Sequence, residues 1–203
     1  MKILSVSDFV DPILYDNFDP EHFKGIDLIF SCGDLPPEYL TFLALKIKVP
    51  LFYIKGNHDI RYDTKPPEGC IHIDSRIVEH KGLRIIGFDG SRWYNGNVNQ
   101  FTEPQMRKKI RKMRLKLWWN KGVDIIITHA PPRYINDAED LCHRGFKSFL
   151  PLIKKYTPPY FLHGHIHMNF TNHLQRITIV NNTKVINTCG YYIFKIDGAE
   201  IEK

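Results

Sequence analysis

The sequence predicts a layered α/β domain. Short apolar runs rich in Ile, Leu, Val and Phe recur along the chain, and segments of helical period lie between several of them. The part from Arg176 to Ile196 adds successive strand-like runs with a turn near Asn181-Asn182, which predicts some antiparallel sheet.

Taken in order, the runs from Ile3 to Val6, Ile26 to Phe30, Val49 to Ile54, Leu83 to Phe88, Val123 to Thr128 and Tyr160 to Leu162 read as buried strands. Helical period covers Glu38 to Ile47, Glu103 to Trp119 and Phe146 to Tyr156, and Pro151 is expected to kink or split the last of these. Within the second, Met106, Ile110, Met113 and Leu117 form an apolar stripe, so the run RKKIRKMRLK reads as the wet face of a packed helix. That run permits a nucleic-acid partner without requiring one, because the cations are not expected to alternate with exposed stacking aromatics. With no internal repeat, low-complexity tract or Gly/Ser linker, residues 1–203 are predicted to form a single domain.

Composition narrows the class further. The chain is 43% hydrophobic, enough for a full core, yet no stretch approaches the roughly 18 apolar residues of a membrane span. The opening MKILSVSDF lacks the plan of a signal peptide, so a cytoplasmic location and no membrane partner are expected. Cys32, Cys70, Cys142 and Cys189 lie far apart without a CxxC pair and read as buried, reduced thiols. A formal charge of +6 favours anionic ligands without choosing between nucleic acid and small phosphates.

The informative residues stand at the ends of the apolar runs. Asp8 comes after KILSVS, Asp34 after IDLIFSCG, Asn57-His58-Asp59 after VPLFYIKG, His129 after VDIIIT, and His165-Ile166-His167 after YFLHG. In open α/β sheets the carboxyl ends of strands share one edge, where residues distant in sequence converge on a ligand. Carboxylates, an amide and imidazoles without thiolate suit manganese, iron or zinc, and the set is large enough for two adjacent cations. A spacing of two along a strand would point the His165 and His167 rings the same way. Gly33, Gly56 and Gly164 would keep the backbone slim at these turns.

These blocks, SDFV, CGD, GNHD, THAPP and GHIH, resemble in order and spacing the calcineurin-like metallophosphoesterase superfamily, over Asp8 to His167. The resemblance implies a four-layer sandwich of two mixed β-sheets flanked by α-helices, built around two divalent metal ions, with manganese first and iron, zinc or magnesium as alternatives. Carried over by position, Asp8 and His167 would hold the first metal and Asn57, His129 and His165 the second, with Asp34 bridging them. His58 would stabilise the phosphate or protonate the leaving oxygen while a metal-activated hydroxide attacks in line, and Asp59 would orient His58.

One block departs from the pattern: Val10 stands where the family carries a ligand histidine, which predicts a weaker first metal site. Either water fills the vacancy or Asp11 leans in, although Pro12 biases Asp11 towards an extended backbone. His22, His72, His80 and His173 match no block and read as surface or packing residues, and His163 as buried on its strand. Two loops are candidates for substrate contacts. Arg92 lies beside Trp93 and Tyr94 after a strand, where Trp93 could equally pack the loop down. His143 and Arg144 are expected to open a helix, unless Asp140 simply caps it.

The predicted function is hydrolysis of a phosphodiester or phosphomonoester substrate. Two alternatives stand beside it: a binding scaffold that keeps the fold without activity, which Val10 favours, and a nuclease, which the basic run would serve. A scaffold has no chemical need for His58, so the retained GNHD block weighs towards an enzyme.

Overall fold

The computed structural model describes residues 1–196. Its strands are β1 (Lys2–Ser7), β2 (Leu28–Ser31), β3 (Leu51–Tyr53), β4 (Ile71–His72), β5 (Ile77–His80), β6 (Leu83–Phe88), β7 (Ser91–Arg92), β8 (Gln100–Phe101), β9 (Ile125–Thr128), β10 (Tyr160–His163), β11 (Ile177–Val180), β12 (Thr183–Asn187) and β13 (Gly190–Lys195). The helices are α1 (Pro37–Ile47), α2 (Glu103–Lys112), α3 (Arg114–Trp119) and α4 (Phe149–Tyr156). One sheet runs β13-β1-β2-β3-β4 and the other β11-β12-β10-β9-β6-β5, while β7 and β8 form a small parallel pair. Both large sheets are mixed, as predicted: β1, β2, β3 and β4 are parallel, as are β6, β9, β10 and β12, while β13 closes one edge of the first sheet and β5 and β11 both edges of the second as antiparallel strands.

Side-chain alternation makes the layers. Ile3 faces the core between the sheets whereas Leu4 and Val6 face outward, and Ile125 and Ile127 lie between the sheets whereas Ile126 points out. The inner layer joins Phe30, Phe52 and Ile54 to Ile85, Ile127 and Leu162. Outside the first sheet, Leu4, Ile29 and Leu51 pack on Tyr39, Leu40 and Leu43 of α1. Outside the second, Ile86, Ile126 and Phe161 pack on Met106 and Leu117 of the α2–α3 pair and on Phe149 and Ile153 of α4. The result is helix, sheet, sheet, helix.

Several sequence expectations need correction. The segment from Glu103 to Trp119 is two helices, because the backbone tightens at Met113, whose N–H bonds the Ile110 carbonyl at 3.0 Å before the α-pattern resumes from Leu117 to Met113. The apolar stripe survives the break, with Met106, Met113 and Leu117 buried and Ile110 packed against them. Exposed aromatics do accompany the cations: Trp118 and Trp119 are 69% and 80% exposed. Pro151 neither kinks nor splits α4, since it is the third residue of a helix that starts at Phe149, and first-turn N–H groups have no intrahelical partner. Residues 146–148 stay outside that helix because Phe146 exchanges backbone bonds with Pro131 and Arg133, both at 3.1 Å. All four cysteines are free, but only Cys32 is fully buried.

Two small features set the spacing of the layers and loops. A Cβ on Gly87 of β6 would collide with Ile54 and lie 2.9 Å from Ile73 Cγ1, so the strand needs its glycine to close the inner layer. The Asp59 carboxylate accepts from the backbone N–H groups of Asp34 (2.8 Å), Leu35 (3.1 Å) and Gly56 (2.7 Å), lashing the loop after β2 to the loop after β3.

We expect Gly87→Ala to lose about 1–3 kcal/mol of stability from overpacking, read as a lower midpoint in urea unfolding. Asp59→Ala strips three donors of their acceptor and should cost about 2–4 kcal/mol in the same measurement. Wild-type midpoints would show that the inner layer yields around Gly87 and that water replaces the Asp59 carboxylate.

Candidate metal centre

Five parallel strands deliver the site. Asp8 follows β1, Asp34 β2, Asn57 β3, His129 β9 and His165 β10, so the carboxyl edges of both sheets meet at one seam. Backbone bonds hold the loops together there: Asp8 N–H to Gly33 O at 3.1 Å and Gly164 N–H to His129 O at 3.0 Å. Bonds across the seam join the sheets, with the His165 N–H donating to Asp8 Oδ1 at 2.9 Å and the His129 Nδ1–H to Cys32 O at 2.8 Å. The second bond fixes the His129 tautomer and leaves Nε2 facing inward.

Around His129 Nε2 the other donor atoms crowd: Asn57 Oδ1 at 3.0 Å, Asp34 Oδ2 at 3.1 Å and His165 Nδ1 at 3.1 Å. Ligand atoms of Asp34, His129 and His165 all lie within 4.8 Å of one another. On the other side, Asp8 Oδ1 is 3.7 Å from His167 Nε2, and Asp8 Oδ2 is buried without a hydrogen-bond partner among the described residues. The glycines make room as anticipated. A Cβ on Gly56 would collide with the Asp34 carboxylate, and one on Gly164 would lie 2.6 Å from Asp8 Oδ2. Asp8, Asp34 and His165 adopt left-handed backbone at φ 63°, 58° and 68°, unusual for residues with a Cβ.

Electrostatics follow from this crowding. Burial disfavours a charged His129, yet the Asp34 and Asp8 carboxylates outweigh it and push the imidazole up to about 9. Burial likewise works against an ionised Asp34, and His129 overrides it to hold the carboxyl down at about 2. Burial, reinforced by the charge of His129, drops His165 to about 3, so it is a neutral donor. Asp59 rises to about 7 through burial and the neighbouring Asp34.

The remaining expectations divide. His165 and His167 do not share a strand face, because β10 ends at His163; they occupy a loop in which His165 is buried and His167 exposed, and the left-handed His165 turns the chain. His163 is buried as predicted. His58 is exposed beside a cavity of about 240 Å³ that Asp34 and Arg61 also line, and its backbone N–H donates to Asp34 Oδ1 at 2.8 Å. Asp59, expected to orient the His58 ring, gives its carboxylate to the three backbone donors instead. Val10 packs against the outer apolar layer of the first sheet. Asp11 caps a short 3₁₀ turn by accepting from Ile13 N–H at 2.9 Å, and it lines, with Asp8 and His167, a cavity of about 510 Å³.

His143 does not open a helix; it sits in a turn capped by Asp140, whose carboxylate also meets its Nδ1 at 2.9 Å. The turn still brings its ring 5.3 Å from that of His165 and 6.4 Å from that of His167. Arg144 is drawn back to the Glu139 carbonyl at 2.7 Å. Trp93 is half exposed and does not fasten its loop; the Gln100 side chain does, accepting from the N–H groups of Tyr94, Asn95 and Gly96. Arg92, on β7, is half-buried. The loop residue that reaches the donors is Tyr94, whose hydroxyl accepts from Asn57 Nδ2 at 3.2 Å and so aims Asn57 Oδ1 at the cluster. Sequence reasoning placed Tyr94 only beside Arg92 and gave it no role toward the donors. It also missed the Cys142 carbonyl, which accepts from His165 Nε2–H at 2.7 Å and leaves Nδ1 as the free donor.

Comparison with known proteins shows what the chain is similar to. The human protein named metallophosphoesterase domain-containing protein 1 is 25% identical over 195 residues, covering 75% of this chain and 57% of its own length, and the mouse protein of that name matches equally. The chain thus spans little more than half the length of these curated relatives. Among solved structures, TT1561 of Thermus thermophilus shares the fold at a TM-score of 0.60 with 16% identity, covering 93% of this chain and 89% of that one. The family model for calcineurin-like phosphoesterases matches residues 3–169, and the chain belongs to that family.

Proposed function

We propose that this protein is a hydrolase of phosphate esters whose centre holds two divalent cations. The observation that carries the reading is the convergence of ligand-type atoms on His129 Nε2 next to a buried Asp8 oxygen that no described group satisfies. The family is metal-dependent, and Asp34, His129 and His165 form a metal-competent group. Oxygen and imidazole donors without thiolate fit manganese, iron, zinc or magnesium, with manganese preferred. Asn57, His129 and His165 would hold one cation, Asp8 and His167 the other, and Asp34 would serve both.

Held by these residues, divalent cations would supply an acidified water and neutralise the phosphate oxygens. The chain's own groups do the rest. Asn57, aimed by Tyr94, and His165, aimed by the Cys142 carbonyl, hold fixed donor directions. His58 stands exposed at the cavity beside Asp34, where its ring would pass a proton to the departing ester oxygen. His143, whose ring lies near those of His165 and His167, would meet a phosphate oxygen in this reading, whereas Arg144 is committed to its own loop. Val10 supports a weaker first cation, and the cavity next to Asp8 has room for the part of the substrate that leaves.

His58→Ala is expected to keep fold and metal content while lowering kcat by about 10²–10⁴-fold on esters with poor leaving groups, and by less on nitrophenyl esters. Asp34→Ala should lose metal and activity together. If wild-type protein saturated with manganese hydrolyses no mono- or diester, the hydrolase reading falls and a binding scaffold replaces it.

Tyr94→Phe should weaken metal binding by about tenfold in a manganese titration, because Asn57 loses the partner that orients its amide. Arg92→Ala should leave that titration unchanged and raise KM if its guanidinium meets substrate. Unchanged affinity in Tyr94→Phe would show that the hydroxyl is incidental.

A further inference from the structure

The positive charge of this chain is not spread over it. Residues 104–121 contain eight Lys and Arg and no Asp or Glu, while the whole chain nets +6, so everything outside that segment nets −2. Lys109 is tied to Asp74 at 2.8 Å, but Arg107, Lys108, Arg111, Lys112, Arg114 and Lys116 are exposed along α2 and α3.

The same element carries an apolar cluster that the core does not use. Leu115, Trp118 and Trp119 are 81%, 69% and 80% exposed, and their spacing of three and four puts them on one face of α3. Beside them a groove of about 330 Å³ runs between α2–α3 and α4, floored by Ile110, Leu117 and Leu152 and rimmed by Arg111, Arg114 and Lys155, with no acidic lining residue. Exposed apolar surface of this kind marks an interaction site.

Its position decides what it can serve. The Arg84 guanidinium grips Asp124 and the Asn120 carbonyl, while the Asp124 N–H bonds Arg84 O at 2.8 Å and the Asp124 carbonyl accepts from Tyr160 N–H at 3.2 Å. Asn120 and the end of α3 therefore sit where β9 and β10 begin, whereas the metal centre lies where those strands end. A strand of nucleic acid on α3 would lie at the wrong pole to be the substrate. A surface docked there leaves the centre open to water.

We propose that the α2–α3 face docks on an anionic lipid bilayer, with Leu115, Trp118 and Trp119 entering the headgroup layer and the surrounding cations meeting lipid phosphates and carboxylates. Indoles prefer that layer, a leucine gains from leaving water but offers nothing to a stacking base, and a segment with cations and no anions complements a negative surface. The expectation of no membrane partner rested on the lack of a spanning segment, which docking of this kind does not use.

The test is cosedimentation of the full chain with vesicles of phosphatidylcholine alone and of phosphatidylcholine with about one third phosphatidylserine. The protein should pellet with the second and not the first, its Trp emission should move to the blue, and added salt should release it. Trp118→Ser with Trp119→Ser, and separately Arg111→Glu with Arg114→Glu, should each reduce partitioning at least about tenfold while circular dichroism stays unchanged. Failure of the wild type to pellet with anionic vesicles overturns the proposal, as do indole variants that pellet like wild type. Tight binding of a single-stranded oligonucleotide through the same residues, without vesicle binding, overturns it in favour of nucleic acid.

Discussion

Two carboxylates, Asp8 and Asp34, are almost wholly removed from water at the seam between the sheets, and the local structure is arranged around keeping their charge tolerable. A buried carboxylate without partners costs several kcal/mol, so each oxygen must find a donor or a cation. Asp34 takes the His58 N–H and the His129 imidazole, and Asp8 takes the His165 N–H and lies within reach of His167. These donors come from both sheets, so the demand for compensation fastens the sandwich along its carboxyl edge. The atom left over, Asp8 Oδ2, belongs to the block in which Val10 has withdrawn into the outer apolar layer. If the centre takes two cations as proposed, that pairing of an unsatisfied oxygen with a valine gives a physical reason for their positions to differ.

Much of this was legible in the chain. Ligand-type residues directly after apolar runs revealed the strand ends, because period-two alternation and turn glycines are local signals that tertiary context rarely overrides. The hairpin at Asn181-Asn182 appeared where an asparagine can adopt left-handed backbone, as Asn181 does at φ 54°. What escaped was set by contacts between distant segments. Asp59 reads as a partner for the histidine beside it, yet its oxygens answer to N–H groups 25 and 24 residues earlier in the chain. The pairing of Tyr94 with Asn57 spans 37 residues and has no motif of its own. Helix boundaries failed for a different reason: a stripe of apolar residues persists through one tightened turn, so periodicity cannot see the break at Met113.

The two poles of the second sheet differ in kind. Where its strands end, side chains are buried, mutually compensated and held by backbone bonds; where β9 begins, the α3 side chains stand in solvent with charge of one sign. Chemistry needs the first environment because low dielectric strengthens each electrostatic contact. Recognition of an extended surface needs the second, where long cationic side chains can adapt.

The left-handed backbone at Asp8, Asp34 and His165 bears on selectivity. A side chain held in a sparsely populated conformation by surrounding bonds has few neighbouring states to relax into, so its oxygen or nitrogen cannot drift to follow an incoming ion. The ordering has been completed during folding rather than on encounter, which lowers the entropy lost at binding. A metal cage of that stiffness, if the proposed function holds, would judge ions by radius and coordination number, favouring those that accept its spacing and resisting a large, many-coordinate ion such as calcium.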